Sequence, residues 1–346
     1  MCCNTYLIEF DVNKKRFGRR IPMELRFRLT RSDTNYPIYY IEVPCGCCLN
    51  CKVDRRNWLE DAINYELKKN YNSCSFTCLT YDDYRINDYI IYDEQIDGTK
   101  VPLVNKAGKF AYTLNKKDFV DCIKRLRSYI AYHNLEEKYG KDVCDSKFKV
   151  VYCTEYGGRY ERPHAHFLFL GISPKVLDII LPKVWKNGII DNGELENGGI
   201  RYVLDYCEKQ VRGKKARYEA YEKYGMEAPS LIYSKGLGKG LILDNLSFIK
   251  THNLEYPCGA AGKTRPIPYY YKQKIFQKSF TFNKSLKHIN YLRSQLCMDK
   301  IKSIKEFNNF RHELALKREK HLIEGLRRKG NPAEDYMLFE NTYGCA

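Results

Sequence analysis

His164 and His166 stand two residues apart in Val150–Gly171, VVYCTEYGGRYERPHAHFLFLG. Two imidazoles at that spacing share one face of a strand, because successive side chains alternate. Glu155 lies at the end of the preceding apolar run, where a short return places its carboxylate opposite them. Two imidazoles and a carboxylate form a compact site for a divalent metal, with positions left open for water and substrate. By itself a His-x-His pair is more often incidental. Some forty residues on, Arg201–Gln210 (RYVLDYCEKQ) reads as a helix with Tyr202 and Tyr206 at i and i+4 and Lys209 on the same face. With 30 tyrosines in the chain, the plainer reading is a buried aromatic stripe. The chemical reading is a phenol nucleophile, whose pKa near 10 a neighbouring cation or metal would counter.

The elements that must position these groups are legible from periodicity. Apolar and β-branched residues on either side of Gly157-Gly158 read as two strands joined by a loop. Cys74–Thr80 is a strand whose alternation sends Phe76, Cys78 and Thr80 one way, and Ser75, Thr77 and Leu79 the other. Helices are expected from about Asn50, which could cap it, to Asn70; from Asn115 to His133; and over Ser173–Trp185, with Ser173 capping and Pro174 at the first position. The tyrosine helix is expected over about 200–213, and the Gly/Asn-rich stretch 187–199 as a loop or hairpin lead. Residues 81–112 read as an insertion or hairpin, and Ser285–Cys297 and Ile301–Arg328 as basic helices.

Glu, His-x-His and Tyr-x-x-x-Tyr-x-x-Lys in this order resemble the HUH endonuclease superfamily of rolling-circle replication initiators. Cys45–Cys51 (CGCCLNC), Phe76–Thr80, Ser234–Gly240 (SKGLGKG) and Pro266–Lys274 (PIPYYYKQK) tighten the resemblance to replication initiation proteins of gokushovirus-type Microviridae. It covers roughly residues 1–280. The resemblance implies an α+β fold, an antiparallel sheet with flanking helices, here followed by a helical C-terminal region. It implies metal-dependent nicking of single-stranded or extruded origin DNA by a tyrosine, leaving a 5′-phosphotyrosine link and a 3′-hydroxyl, followed by rejoining. The implied roles are nucleophile for Tyr206, with Tyr202 for a second transfer, Lys209 as charge stabiliser, and Glu155, His164 and His166 as ligands of Mg²⁺ or Mn²⁺. Two-tyrosine initiators tend to carry Lys where Asp205 stands, so Tyr202 lacks the partner that Tyr206 keeps. Implied partners are single-stranded origin DNA and the host DNA polymerase and helicase, in the cytoplasm of a bacterial host.

Bulk properties agree. Lys and Arg number 59 against 42 Asp and Glu, a formal charge of +17 that suits a polyanion. No apolar run approaches the ~20 residues needed to span a bilayer, so no membrane partner is expected. Met1-Cys-Cys-Asn lacks the basic and apolar regions of a secretory signal, and 15 cysteines without one suit a reducing compartment. Cys45, Cys48 and Cys51, with Cys2 as a fourth, are candidates for a structural zinc, as against reduced, buried thiols. Gly-Lys-Thr at 262–264 carries Pro257 where a phosphate loop needs its first Gly, which argues against ATP binding. Expected divisions are 1–70 (arm, cysteine cluster, first helix), 71–215 (nickase core), 216–283 (basic extension) and 284–346 (helical tail). The alternatives are a sequence-specific DNA- or RNA-binding protein without catalysis, which needs none of the Glu, His and Tyr motifs, and a nuclease that uses metal-activated water.

Overall fold

The computed structural model describes residues 6–11, 16–21, 38–196, 198–252, 254–259, 262–275 and 304–328. These fall into two compact units, Leu59–Gly238 and the segments on either side of it. The flanking unit begins with strands β1 (Tyr6–Asp11), β2 (Arg16–Ile21) and β3 (Ile38–Val43), paired antiparallel in the order β2-β1-β3. Helix α1 (Leu49–Lys69) follows, with its residues through Trp58 in this unit and the rest in the other. It closes on Lys68 and Lys69, which suit the negative end of the helix dipole. Asn50 does not cap α1. It sits inside the first turn and its amide reaches Ala315 O at 3.0 Å, while the Leu49 N–H is met by Glu319 Oε1 at 3.2 Å. Trp58 packs edge-on to Tyr256, ring centroids 5.3 Å apart, and Ile304–Arg328 forms the long C-terminal helix. The expected helix over 285–297 and Cys2 lie outside the described residues.

The central unit is α+β. Its sheet contains β4 (Cys74–Tyr81), β7 (Cys144–Tyr156), β8 (Pro163–Ile172), β9 (Gly188–Glu194) and β10 (Leu231–Tyr233), in the order β10-β7-β8-β4-β9 and antiparallel throughout. The small hairpin β5 (Tyr92–Glu94) and β6 (Lys100–Pro102) fills the insertion after β4. One sheet face is covered by α2 (Lys116–Tyr132) and α4 (Pro174–Val184), with the short α3 (Leu135–Tyr139) between them in sequence. Leu79, Tyr81, Tyr152, Phe167 and Phe169 meet Phe119, Leu126, Ile180 and Trp185 there, all buried. Phe119 and Trp185 stack at 5.4 Å, and Tyr152 and Phe167 at 4.7 Å. Strand alternation then turns Phe76, Cys78, Glu155, His164 and His166 to the opposite face, toward α5 (Gly199–Lys209).

Three local expectations are corrected. The stretch 187–199 is not a loop lead but contains the edge strand β9, paired with all but one residue of β4. Its Gly and Asn content hid it, yet Gly188 is required there: a Cβ would stand 2.1 Å from the Asp82 nitrogen, and φ is +148°. The tyrosine helix stops at Lys209, Gln210 is extended, and a separate helix Lys214–Ala220 follows Gly213. Ser173 occupies the start of α4 with Pro174 after it, but its hydroxyl makes no capping bond.

Candidate active site

Register assembles the site. Glu155 on β7 pairs directly with His164 on β8, and His166 follows two residues along on the same face. The connecting loop fixes this alignment, because the Gly157 N–H donates to Arg162 O at 3.0 Å and the Glu161 N–H to Gly157 O at 2.8 Å. Both imidazoles then reach one carboxylate oxygen: Nε2 of His164 lies 2.7 Å from Glu155 Oε1 and Nε2 of His166 lies 3.1 Å from it. The Tyr206 hydroxyl donates to that same oxygen at 2.8 Å. Tyr206 and Tyr202 hydroxyl oxygens are 3.0 Å apart. Since the one proton of Tyr206 goes to Glu155, Tyr202 donates the bond between the phenols.

The electrostatics follow from this convergence. Burial opposes the Glu155 charge, but the two histidine bonds and the Tyr206 hydroxyl outweigh it and hold the carboxyl at about 2. Burial likewise opposes a charge on His164, yet its bonds to Glu155 and, through Nδ1, to Arg162 O at 3.0 Å raise its pKa above the ordinary value. Both ring nitrogens of His164 face acceptors, the arrangement of a protonated imidazole. Burial, then the hydroxyl of Tyr202 and the Glu155 charge, push the Tyr206 phenol well above 10. Lys209 Nζ lies 4.5 Å from the Tyr206 ring centroid, a cation over the phenol face.

The donor set fits a divalent cation. Ligand atoms of Glu155, His164 and His166 lie within 4.8 Å of one another, mixing one oxygen and two nitrogens. The Nδ1–H bond of His164 to Arg162 O orients the ring so that Nε2 is the nitrogen left for a metal. The ligands sit in a partly apolar frame: Phe76 stacks on His166 at 5.8 Å and meets Tyr202 edge-on at 6.0 Å. Tyr206 also stacks on His166, at 5.6 Å. The two tyrosines differ in access, with Tyr206 only 6% exposed and Tyr202 49%.

Residues 74–211 match the family model of the replication-associated protein ORF2. The segment runs from β4 through α5 and so contains every residue of this site. The chain is 26% identical over 186 residues to replication-associated protein ORF4 of Chlamydia phage 1, covering 49% of this chain but 38% of that protein. It is 23% identical over 248 residues to replication-associated protein ORF2 of Spiroplasma virus 4, covering 67% of each. The chain resembles replication-associated proteins of the Microviridae type. No solved structure matches it.

The structure thus brings Glu155, His164, His166, Tyr202, Tyr206 and Lys209 together. It places Cys45, Cys48 and Cys51 in a separate cluster outside the family segment. Sequence reasoning missed two contributors. Phe76 was assigned to the correct face, but its stacking on His166 needs the β4–β8 register, which sets Cys78 opposite His166. Arg162 acts through its carbonyl, and a main-chain group has no sequence signal. Among the described residues, no helix is long and apolar enough to cross a membrane.

Proposed function

We propose that the protein initiates phage DNA replication by nicking single-stranded or extruded origin DNA with a tyrosine nucleophile. The observation that carries this reading is the Tyr206 hydroxyl on Glu155 Oε1, the oxygen shared with both histidines. A structural tyrosine has no need to end on a three-ligand cluster. The Tyr206 oxygen forms a bond to phosphorus while the bond from phosphorus to the 3′-oxygen breaks. The products are a 5′-phosphotyrosine link and a free 3′-hydroxyl, which takes up a proton as it leaves. The phenol proton sits 2.8 Å from Glu155 Oε1, so the acceptor is already in place.

Mg²⁺ or Mn²⁺ held by Glu155, His164 and His166 would withdraw charge from a non-bridging phosphate oxygen. The Lys209 ammonium supplies positive charge beside the phenol as it becomes anionic and as phosphate approaches. Phe76 and the exposed ring of Tyr202 offer stacking surface for an unpaired base beside the ligands. Tyr202, solvent-accessible and in contact with the Tyr206 oxygen, is placed for the second transfer that rejoins the strand. The net charge of +17 suits the polyanionic substrate.

The test uses a labelled, randomised single-stranded oligonucleotide library with Mn²⁺. Protein–DNA species that survive boiling in detergent are isolated and the attached strands sequenced. The reading expects an adduct with DNA linked through its 5′ end and a common sequence at the junction. Cleavage without an adduct would shift the assignment to metal-activated water, and binding without cleavage to a non-catalytic binder.

A further inference from the structure

Outside the family segment, Cys45, Cys47, Cys48 and Cys51 gather at the start of α1, all buried and none in a disulfide. Sulfur atoms of Cys45, Cys48 and Cys51 lie within 4.8 Å of one another, and those of Cys45 and Cys51 are 4.0 Å apart. That separation is far from the ~2.05 Å of a disulfide bond. It is close to the tetrahedron edge of about 3.8 Å that two thiolates span around zinc at ~2.3 Å each.

The backbone around Cys45 is shaped for a thiolate. The N–H groups of Cys47 and Cys48 both donate to Cys45 Sγ, each at 3.3 Å. Their convergence on one sulfur needs a tight turn, which Gly46 supplies with φ +77°. Donors aimed at sulfur favour its anionic form. Cys48 precedes and Cys51 lies within the first turn of the 21-residue α1, whose positive end favours thiolates as well. Cys47 is aimed elsewhere, its thiol 3.6 Å from the carbonyl of Cys45.

The cluster faces the C-terminal helix. Ala315 closes over the sulfurs and is fully buried, and its carbonyl accepts from Asn50 at 3.0 Å. Arg318 reaches Asp54 at 2.8 Å. The neighbouring apolar cluster is small, Leu49 and Val53 against Leu322 and Ile323. A metal there would add the cohesion that so little apolar surface does not.

We propose that Cys45, Cys48 and Cys51 bind a structural Zn²⁺ as three thiolates, completed by one further ligand, and so fasten the start of α1 against the helix Ile304–Arg328. Zinc displaces the three thiol protons and no electron is transferred. Three soft sulfurs choose Zn²⁺ over Mg²⁺ or Mn²⁺, so this site and the nicking site select different ions. The site stands independently of the nicking reading.

Full-length protein purified without chelator is analysed for metal, then reconstituted with Co²⁺. The expected result is about one zinc per chain, together with an intense sulfur-to-cobalt charge-transfer band that the Glu155–His164–His166 set cannot produce. Cys45→Ser, Cys48→Ser and Cys51→Ser should each lose the metal and the band, whereas Cys47→Ser should keep both. Because a serine variant could fail to fold, a mercurial titration of the wild type provides a second reading, in which zinc is released as the thiols are blocked. The proposal is overturned if folded wild type neither contains zinc nor takes up Co²⁺ with that band. It is also overturned if Cys47→Ser loses the metal while Cys51→Ser retains it, or if mercuration releases none.

Discussion

The Tyr206 hydroxyl lies 2.8 Å from Glu155 Oε1, the same oxygen that both His164 and His166 approach through Nε2. A nucleophile and a ligand set are thereby joined at one atom. What changes at Glu155 must be felt by the phenol, and the reverse.

Tyr206→Phe removes the attacking oxygen and little else. The covalent species on denaturing gels should vanish, while DNA affinity and its salt dependence stay near wild type. The fold loses one buried hydrogen bond, worth about 1 kcal/mol in urea melts. Tyr202→Phe should leave the first adduct and impair rejoining. A Tyr206→Phe protein that forms adduct at the normal rate would transfer the primary role to Tyr202.

Metal affinity should depend on pH through His164. Its pKa is raised above 6.5, so at acid pH the cation must displace a proton from Nε2. Mn²⁺ affinity is expected to level off above that raised pKa and to fall about tenfold per pH unit below it. Calorimetry in buffers of different ionisation enthalpy measures the proton released. In His164→Ala the step at this pKa should disappear along with most of the affinity.

Glu155 should contribute acid-sensitive stability in chelated protein. Its folded pKa of about 2 lies below the ordinary 4.5, so the contribution is fully present above pH 4.5 and is lost as pH falls toward 2. A shift of that size corresponds to roughly 3 kcal/mol at most, and it is shared with His164 rather than added to it. Denaturant melts of wild type and Glu155→Gln should therefore converge as pH drops from 5 to 3. Curves that stay parallel would mean that the carboxylate is not held by its partners.

Gly188→Ala tests the edge strand. The new methyl would meet the Asp82 nitrogen at 2.1 Å and Thr80 O at 2.5 Å, both backbone atoms of a fixed chain. A loss of about 2 kcal/mol or more is expected, with hydrogen-exchange protection falling first across β9 and its partner β4. Unchanged exchange there would contradict the pairing.

Much of the site was legible because its elements are periodic. Alternation in Val150–Gly171 and Cys74–Thr80 fixed which side chains share a face, whatever the strands pair with. Helical spacing put Tyr202, Tyr206 and Lys209 together in the same way, and Cys45, Cys48 and Cys51 are close because they are close in sequence. Ser173 shows where local rules fail: its type and position suit a cap, yet the bond is not made.

Tertiary structure decided what depends on register and docking. Glu155 faces His164 only because the Gly157–Arg162 turn sets β7 against β8 without a slip, and a shift of one residue would turn the histidines into the core. The choice of Tyr206 over Tyr202 as the phenol on Glu155 depends on how α5 lies across the sheet, which no spacing within α5 encodes. β9 and the three-residue β10 gain their strand character from the neighbours they pair with, so their own composition could not announce them. Sequence determines faces because side-chain direction is local; the meeting of faces is long-range, and only the packed chain fixes it.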